Sequence, residues 1–140
     1  MDVDRLLLIV TGAHLGAEVH DRPVGYRLKT LIESRLGAGA ARLTPVVCSD
    51  VWYLNQEPLR RRPTISIGAP GVNALTAFLA DKVPSAFTID DVLVVQADLD
   101  WVDLVACCWG RDHDSTRGAV DAFAERYLGG FLEAASAVSA

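Results

Sequence analysis

Apolar positions along the chain follow two spacings. The first is a continuous run, seen in "RLLLIVTG" from Arg5 to Gly12. A run without alternation suits a strand covered on both faces, as in a parallel sheet. "TISIG" (Thr64 to Gly68) and "LTPVVCSD" (Leu43 to Asp50) read the same way, with Pro45 fitting a strand start or edge. The second spacing is helical. Val24, Leu28, Leu31, Ile32 and Leu36 recur at helical intervals and Gly37 stops them. Asp21 stands as the expected cap of that helix, with Pro23 in its first turn, and "AHLGAEVHDRP" before it reads as a polar loop.

Further along, residues 71 to 81 predict a helix with Val72, Leu75, Phe78 and Leu79 facing inwards. Val51 to Leu54 can begin a short helix that Pro58 restricts. "AFTIDDVLVVQADLDWVDLVACCWG" reads as two strands turning at Asp98 to Asp100. That turn is too short for a crossover helix, so the pair is expected to be antiparallel. Asp114 or Ser115 then caps a last helix, with Val120, Phe123, Tyr127, Leu128 and Phe131 on its core face. Gly129 and Gly130 weaken its end, and residues from about 134 to 140 are expected to fray.

The order β-α-β-(α)-β-α-β-β-α implies an α/β fold. The expectation is a three-layer α/β/α sandwich, flavodoxin- or Rossmann-like. Its sheet is mostly parallel, with about five strands and one antiparallel strand from a C-terminal hairpin. In this general order the chain resembles small nucleotide- or sugar-binding flavodoxin-like domains, although no motif in it belongs to one family. A length of 140 residues predicts one domain over residues 1–140, without repeats or linkers.

Composition narrows the function classes. Hydrophobic residues at 51 % and charged residues at 22 % fit a globular chain with a real core. The formal net charge of −5 argues against a nucleic-acid partner. The one concentrated positive run, Arg60 to Arg62, reads as a solvated turn. "MDVDR" is acidic and "LLLIV" too short for a signal core or a membrane span, so a cytoplasmic protein with no membrane partner is expected. Cys48, Cys107 and Cys108 fall in apolar strands and read as buried free thiols.

Polar and special residues gather after the strands, where open parallel sheets bind ligands. The glycine-rich turn "GAPGVN" before the helix at 74 has the parts of an anion site: Gly68 and Gly71 for tight backbone, Asn73 and free N–H groups at a helix start. It matches neither the phosphate-loop nor the dinucleotide fingerprint, and a plain strand-to-helix turn explains it equally well. The expected ligand is an anionic small molecule: a nucleotide, sugar phosphate or carboxylate metabolite. Asp21, Glu18 and Asp50 are the candidate catalytic carboxylates, although Asp21 is also well explained as a cap. Arg22, Tyr53 (or Trp52), Gly68, Gly71, Asn73, Trp109, Asp112 and His113 are the candidate binding residues. His14, Glu18 and His20 with Asp112 and His113 could furnish nitrogen and oxygen ligands, but the spacing His14-x3-Glu18-x-His20 matches no strong metal pattern, so no metal is expected, and no cofactor is specified. If the last strand is antiparallel, Trp109, Asp112 and His113 lie away from the other loops. A second reading is a non-catalytic homo-oligomeric assembly module. It draws on the apolarity of Val92 to Val95 and "WVDLVACCW", high for an exposed hairpin.

Overall fold

A computed structural model describes residues 3–37 and 43–139. Met1, Asp2, residues 38–42 and Ala140, which belong to the expected domain and its tail, lie outside the described residues. The strands are β1 (Leu6–Thr11), β2 (Thr44–Ser49), β3 (Thr64–Ile67), β4 (Ser85–Ile89), β5 (Leu93–Ala97) and β6 (Val105–Gly110). The helices are α1 (Arg22–Leu36), α2 (Asp50–Leu54), α3 (Ala74–Leu79), α4 (His113–Arg126) and α5 (Leu128–Val138). Together they make an α/β fold around one six-stranded mixed sheet, in the order β2-β1-β3-β6-β5-β4.

β1 pairs in parallel with β2 and β3, and β3 with β6. β5 runs antiparallel between β6 and β4, so it alone opposes the other five. This corrects the sequence reading in two ways. "AFTIDDVLVVQ" is a hairpin rather than one strand, because Asp91 takes a left-handed φ of 61° and Val92 N–H donates to Ile89 carbonyl across the turn. The antiparallel member of the second hairpin is β5, so β6 runs parallel beside β3 and delivers its loop to the same edge as β1 and β3.

Alternation along β1 divides the core. Leu7 and Ile9 pack with Val24, Leu28 and Ile32 of α1 and with Val120, Phe123 and Phe131 of α4 and α5. Leu6, Leu8 and Val10 point the other way, to Tyr53, Leu59 and Leu75. All six β1 residues are buried, which is why the run carries no polar alternation. β5 and β6 are inner strands of the same sheet, and Val95, Ala97, Ala106 and Cys108 belong to the first cluster.

The C-terminal segment is two helices, broken at Tyr127 just before Gly129 and Gly130. Residues from 134 continue α5 rather than fraying, with Ala135 buried. Trp101 is half-buried and edge-on to Phe131, at a centroid distance of 5.7 Å. Arg62 is no solvated charge: its Nε donates to Leu6 carbonyl at 3.0 Å and its Nη2 to Ser139 Oγ at 2.7 Å, at the amino end of the sheet. Among the described residues no helix is long and apolar enough to cross a membrane.

Candidate functional site

β1 leads to β2 on one side while β3 lies on its other side, and the helices after β1 and β3 pack into opposite clusters. The carboxyl ends of β1 and β3 therefore form the switch point at which α/β sheets bind ligands. Here backbone packing closes it. A Cβ on Gly12 would collide with the carbonyl oxygen of Val72. Asn73 bridges the two strand ends, its Nδ2 donating to Val10 carbonyl at 3.1 Å and Ile67 carbonyl at 2.8 Å.

The turn holds an anion of the protein's own. Asp50 is buried at the start of α2, where its Oδ1 accepts from Val51 N–H at 2.7 Å. Its Oδ2 reaches across to accept from Ala74 N–H at 2.7 Å. Asn73 Oδ1 accepts from Leu75 and Thr76 N–H, at 2.9 and 3.2 Å. Val72 and Asn73 N–H both donate to Ala69 carbonyl. Five consecutive N–H groups, 72 to 76, thus have protein acceptors. Asp50 and Asn73 act on the fold, and only Gly71 of this turn stands open to solvent.

The ionisable cluster lies one strand over. Asp21 is completely buried, and its Oδ1 is hydrogen-bonded to Nδ1 of the His113 ring, 2.9 Å away. β6 being parallel to β3 makes this contact possible across 92 residues of sequence. The ring of His20 stacks on that of His113, with centroids 4.8 Å apart and planes at 24°. A methyl group on Gly16 would lie 3.2 Å from His113 Nε2 and 3.6 Å from His14 Cε1. All three histidines of the chain therefore meet at one place.

Asp21 does not cap α1 with its side chain. Leu15 and Gly16 are already helical, and Ala17–Asp21 is a π-helical turn that runs straight into α1, where the sequence read a loop. π-turns are rare and concentrate at functional sites. Wound more widely than an α-helix, this one lets consecutive residues His20 and Asp21 both serve His113.

Burial pushes the Asp21 carboxyl above its ordinary range, against the hydrogen bond and charge of His113 and the charges of His20 and His14. Its Oδ2 is buried with no hydrogen-bond partner, as is Thr11 Oγ1 at the end of β1. Oδ2 sits 3.1 Å from where a Cβ on Gly68 would stand, and Gly68 holds φ +119°, a conformation side chains rarely adopt. An unpaired buried carboxylate oxygen is costly and calls for a reason. A carboxylate bonded to Nδ1 fixes the imidazole with its proton on that side and Nε2 free, the arrangement of a general base.

The other candidates disperse. Glu18 and Arg22, 3.8 Å apart, line an open cleft of about 660 Å³ with Cys48, Ser49 and Trp52, on one flank of the helical turn. His20, Arg27 and Arg117 line a smaller hollow of about 260 Å³ on the other. Tyr53 is buried in the core with its hydroxyl 3.1 Å from Thr64 Oγ1. Trp109 donates to Gln96 Oε1 and faces the Asp90–Asp91 turn. Asp112, not Asp114 or Ser115, caps α4 by accepting from Ser115 N–H at 2.8 Å. Among the described residues no group of three His, Cys, Asp or Glu is arranged to hold a metal ion. Burial pushes the Cys48 and Cys107 thiols up to about 11 and about 12 and raises Cys108 well above its ordinary value, which argues against a thiolate nucleophile. The Asp21–His113 pairing left no local trace, since an Asp followed by a first-turn Pro carries the signature of a cap. The chain matches no protein-family model and no curated protein.

Proposed function

We propose that the chain binds a small anionic molecule, a nucleotide, sugar phosphate or carboxylate metabolite, over the loops that follow β1, β3 and β6, and that His113 moves a proton there as part of a hydrolase or transferase. The observation that carries this reading is the contact between His113 and a buried carboxylate whose second oxygen is unpartnered. Perturbed carboxylates paired with an accessible imidazole concentrate at functional sites. Asp21 orients the ring and balances the charge that forms on it. His14 and His20 meet the anion, with Arg22 and the exposed Trp52 available for a larger ligand in the adjoining cleft. Helices packed against both sheet faces support a three-layer sandwich of flavodoxin- or Rossmann-like type. Three free, buried cysteines fit a reducing cytoplasm.

The assembly-module reading drew on the apolar run Val92 to Val95 and on "WVDLVACCW". Inner positions of β5 and β6 account for much of that apolarity within one chain, although Val102 stays 81 % exposed, and the Asp21–His113 contact favours the small-molecule reading. The test is a thermal-shift and calorimetric panel of nucleotides, sugar phosphates and carboxylates on the wild type and on His113→Asn. A ligand at about 100 times its dissociation constant adds about 2.7 kcal/mol of stability. A shift in the wild type that His113→Asn loses is expected; a panel that leaves the wild type unmoved overturns the reading.

A further inference from the structure

Resting on that anion site, we infer that His113 is itself the nucleophile, and that the ligand class is a phosphate monoester whose phosphoryl group passes through Nε2 of His113.

The geometry prepares the ring for attack. With Asp21 Oδ1 2.9 Å from Nδ1, the ring proton is held on that side and the lone pair falls on Nε2. Nε2 lies beside Gly16, where even a methyl group would approach to 3.2 Å, and the His113 side chain keeps 33 % of its surface exposed. Among the described residues the bond to Asp21 is the one hydrogen bond the ring makes, and no hydroxyl or thiol is bonded to it. Thr11 Oγ1 is buried without a partner, and other oxygen and sulfur candidates are engaged or enclosed elsewhere. Ser66 and Thr76 bond each other at 2.7 Å, Thr116 Oγ1 accepts from Gly110 N–H, Ser49 caps α2, and Cys107 and Cys108 are buried. Histidine is an established nucleophile type when a neighbouring group supports it.

The surroundings suit a dianion. His20 stacks on the ring, His14 shares the approach over Gly16, and Arg117 stands one helical turn beyond His113 beside His20. Among the described residues Arg117 pairs only with the exposed Asp114, at 3.4 Å, an attachment weak enough to exchange.

In the first step the Nε2 lone pair forms a bond to phosphorus. The bond from phosphorus to the ester oxygen breaks with its electron pair on that oxygen, which takes a proton from the His14 or His20 imidazolium. The phosphorylated ring keeps its proton on Nδ1 and is a cation, balanced by Asp21. In the second step water oxygen bonds to phosphorus, the N–P bond breaks with its pair returning to Nε2, and the proton of water goes to the imidazole that gave one up. The sum is monoester plus water to alcohol plus phosphate.

The experiment mixes the full chain with p-nitrophenyl phosphate, follows nitrophenolate by stopped flow, and quenches samples in alkali for intact mass and peptide mapping. A burst of about one nitrophenolate per chain is expected. So is a single acid-labile, alkali-stable phosphoryl adduct on His113. His113→Asn, which keeps a side-chain N–H for Asp21, should lose both, and mapping of the wild type stands even if that variant fails to fold. Steady release that depends on His113 without burst or adduct overturns the inference and leaves His113 a general base. An adduct on His14 or His20 alone also overturns it. No release from a chain that still binds inorganic phosphate in calorimetry removes the chemistry but keeps the anion site, whereas neither release nor phosphate binding removes both.

Discussion

Asn73 shows how much of the glycine-rich turn belongs to stability. Asn73→Ala deletes four hydrogen bonds at a position 1 % exposed: two donated to the ends of β1 and β3 and two accepted from the first turn of α3. At about 1 kcal/mol net for each intramolecular bond, the loss is about 4 kcal/mol. That is a large share of the roughly 5–15 kcal/mol typical of a domain. With a urea m-value of about 2 kcal/mol/M, the unfolding midpoint should fall by about 2 M with m unchanged. Asn73→Asp is the informative companion. It keeps the cap acceptor but turns a second carboxylate oxygen towards two carbonyls, close to Asp50. It should be at least as damaging at pH 7 and recover in acid, when its protonated oxygen can donate. A loss below about 1.5 kcal/mol for Asn73→Ala refutes the four-bond argument, because capping alone contributes about 1 kcal/mol.

Other expectations test separate parts of the structure. Burial raises the Asp21 pKa from 3.8, so the native state holds a proton that the unfolded chain releases, and the stability tied to that proton is lost as pH rises through the raised value. Asp21→Asn lacks this loss, so its stability relative to wild type should improve as pH climbs from 3.8; urea titrations across pH in which it worsens instead would contradict burial as the dominant cause. Gly12→Ala should not fold, since its Cβ meets the Val72 carbonyl; a cooperative thermal transition in that variant would show that the switch point is not closed by direct packing. The three thiols should resist iodoacetamide at pH 7.5 in the native state and react together in denaturant, and modification of the folded chain would contradict their burial.

Periodicity made much of the frame legible. The unbroken apolar run of β1 and the Val24, Leu28, Ile32 stripe of α1 are burial patterns written directly into local sequence. What escaped depends on backbone conformation or on distance along the chain. Asp90–Asp91 splits an apolar stretch through a left-handed residue that an Asp can adopt but does not announce. The π-turn at Ala17–Asp21 has no compositional mark and was hidden by a Pro that suits the first turn of an ordinary helix. For the site, sequence pointed to the carboxyl-end loops and named Asp21 and His113. It could not join them, because their meeting depends on which strand β6 pairs with. Asp50 and Tyr53 carry side chains suited to ligands, and only three-dimensional packing shows that protein partners already occupy them.

Arg62 has a consequence for how the molecule can be handled. By gripping both the start of β1 and Ser139, it gathers the two ends of the described chain at the amino edge of the sheet. The histidines stand at the opposite edge, a strand's length of roughly 20 Å away. A tether to a sensor chip or a fused reporter at either end would therefore leave the imidazole cluster facing open solution, oriented alike on every molecule of an immobilised layer.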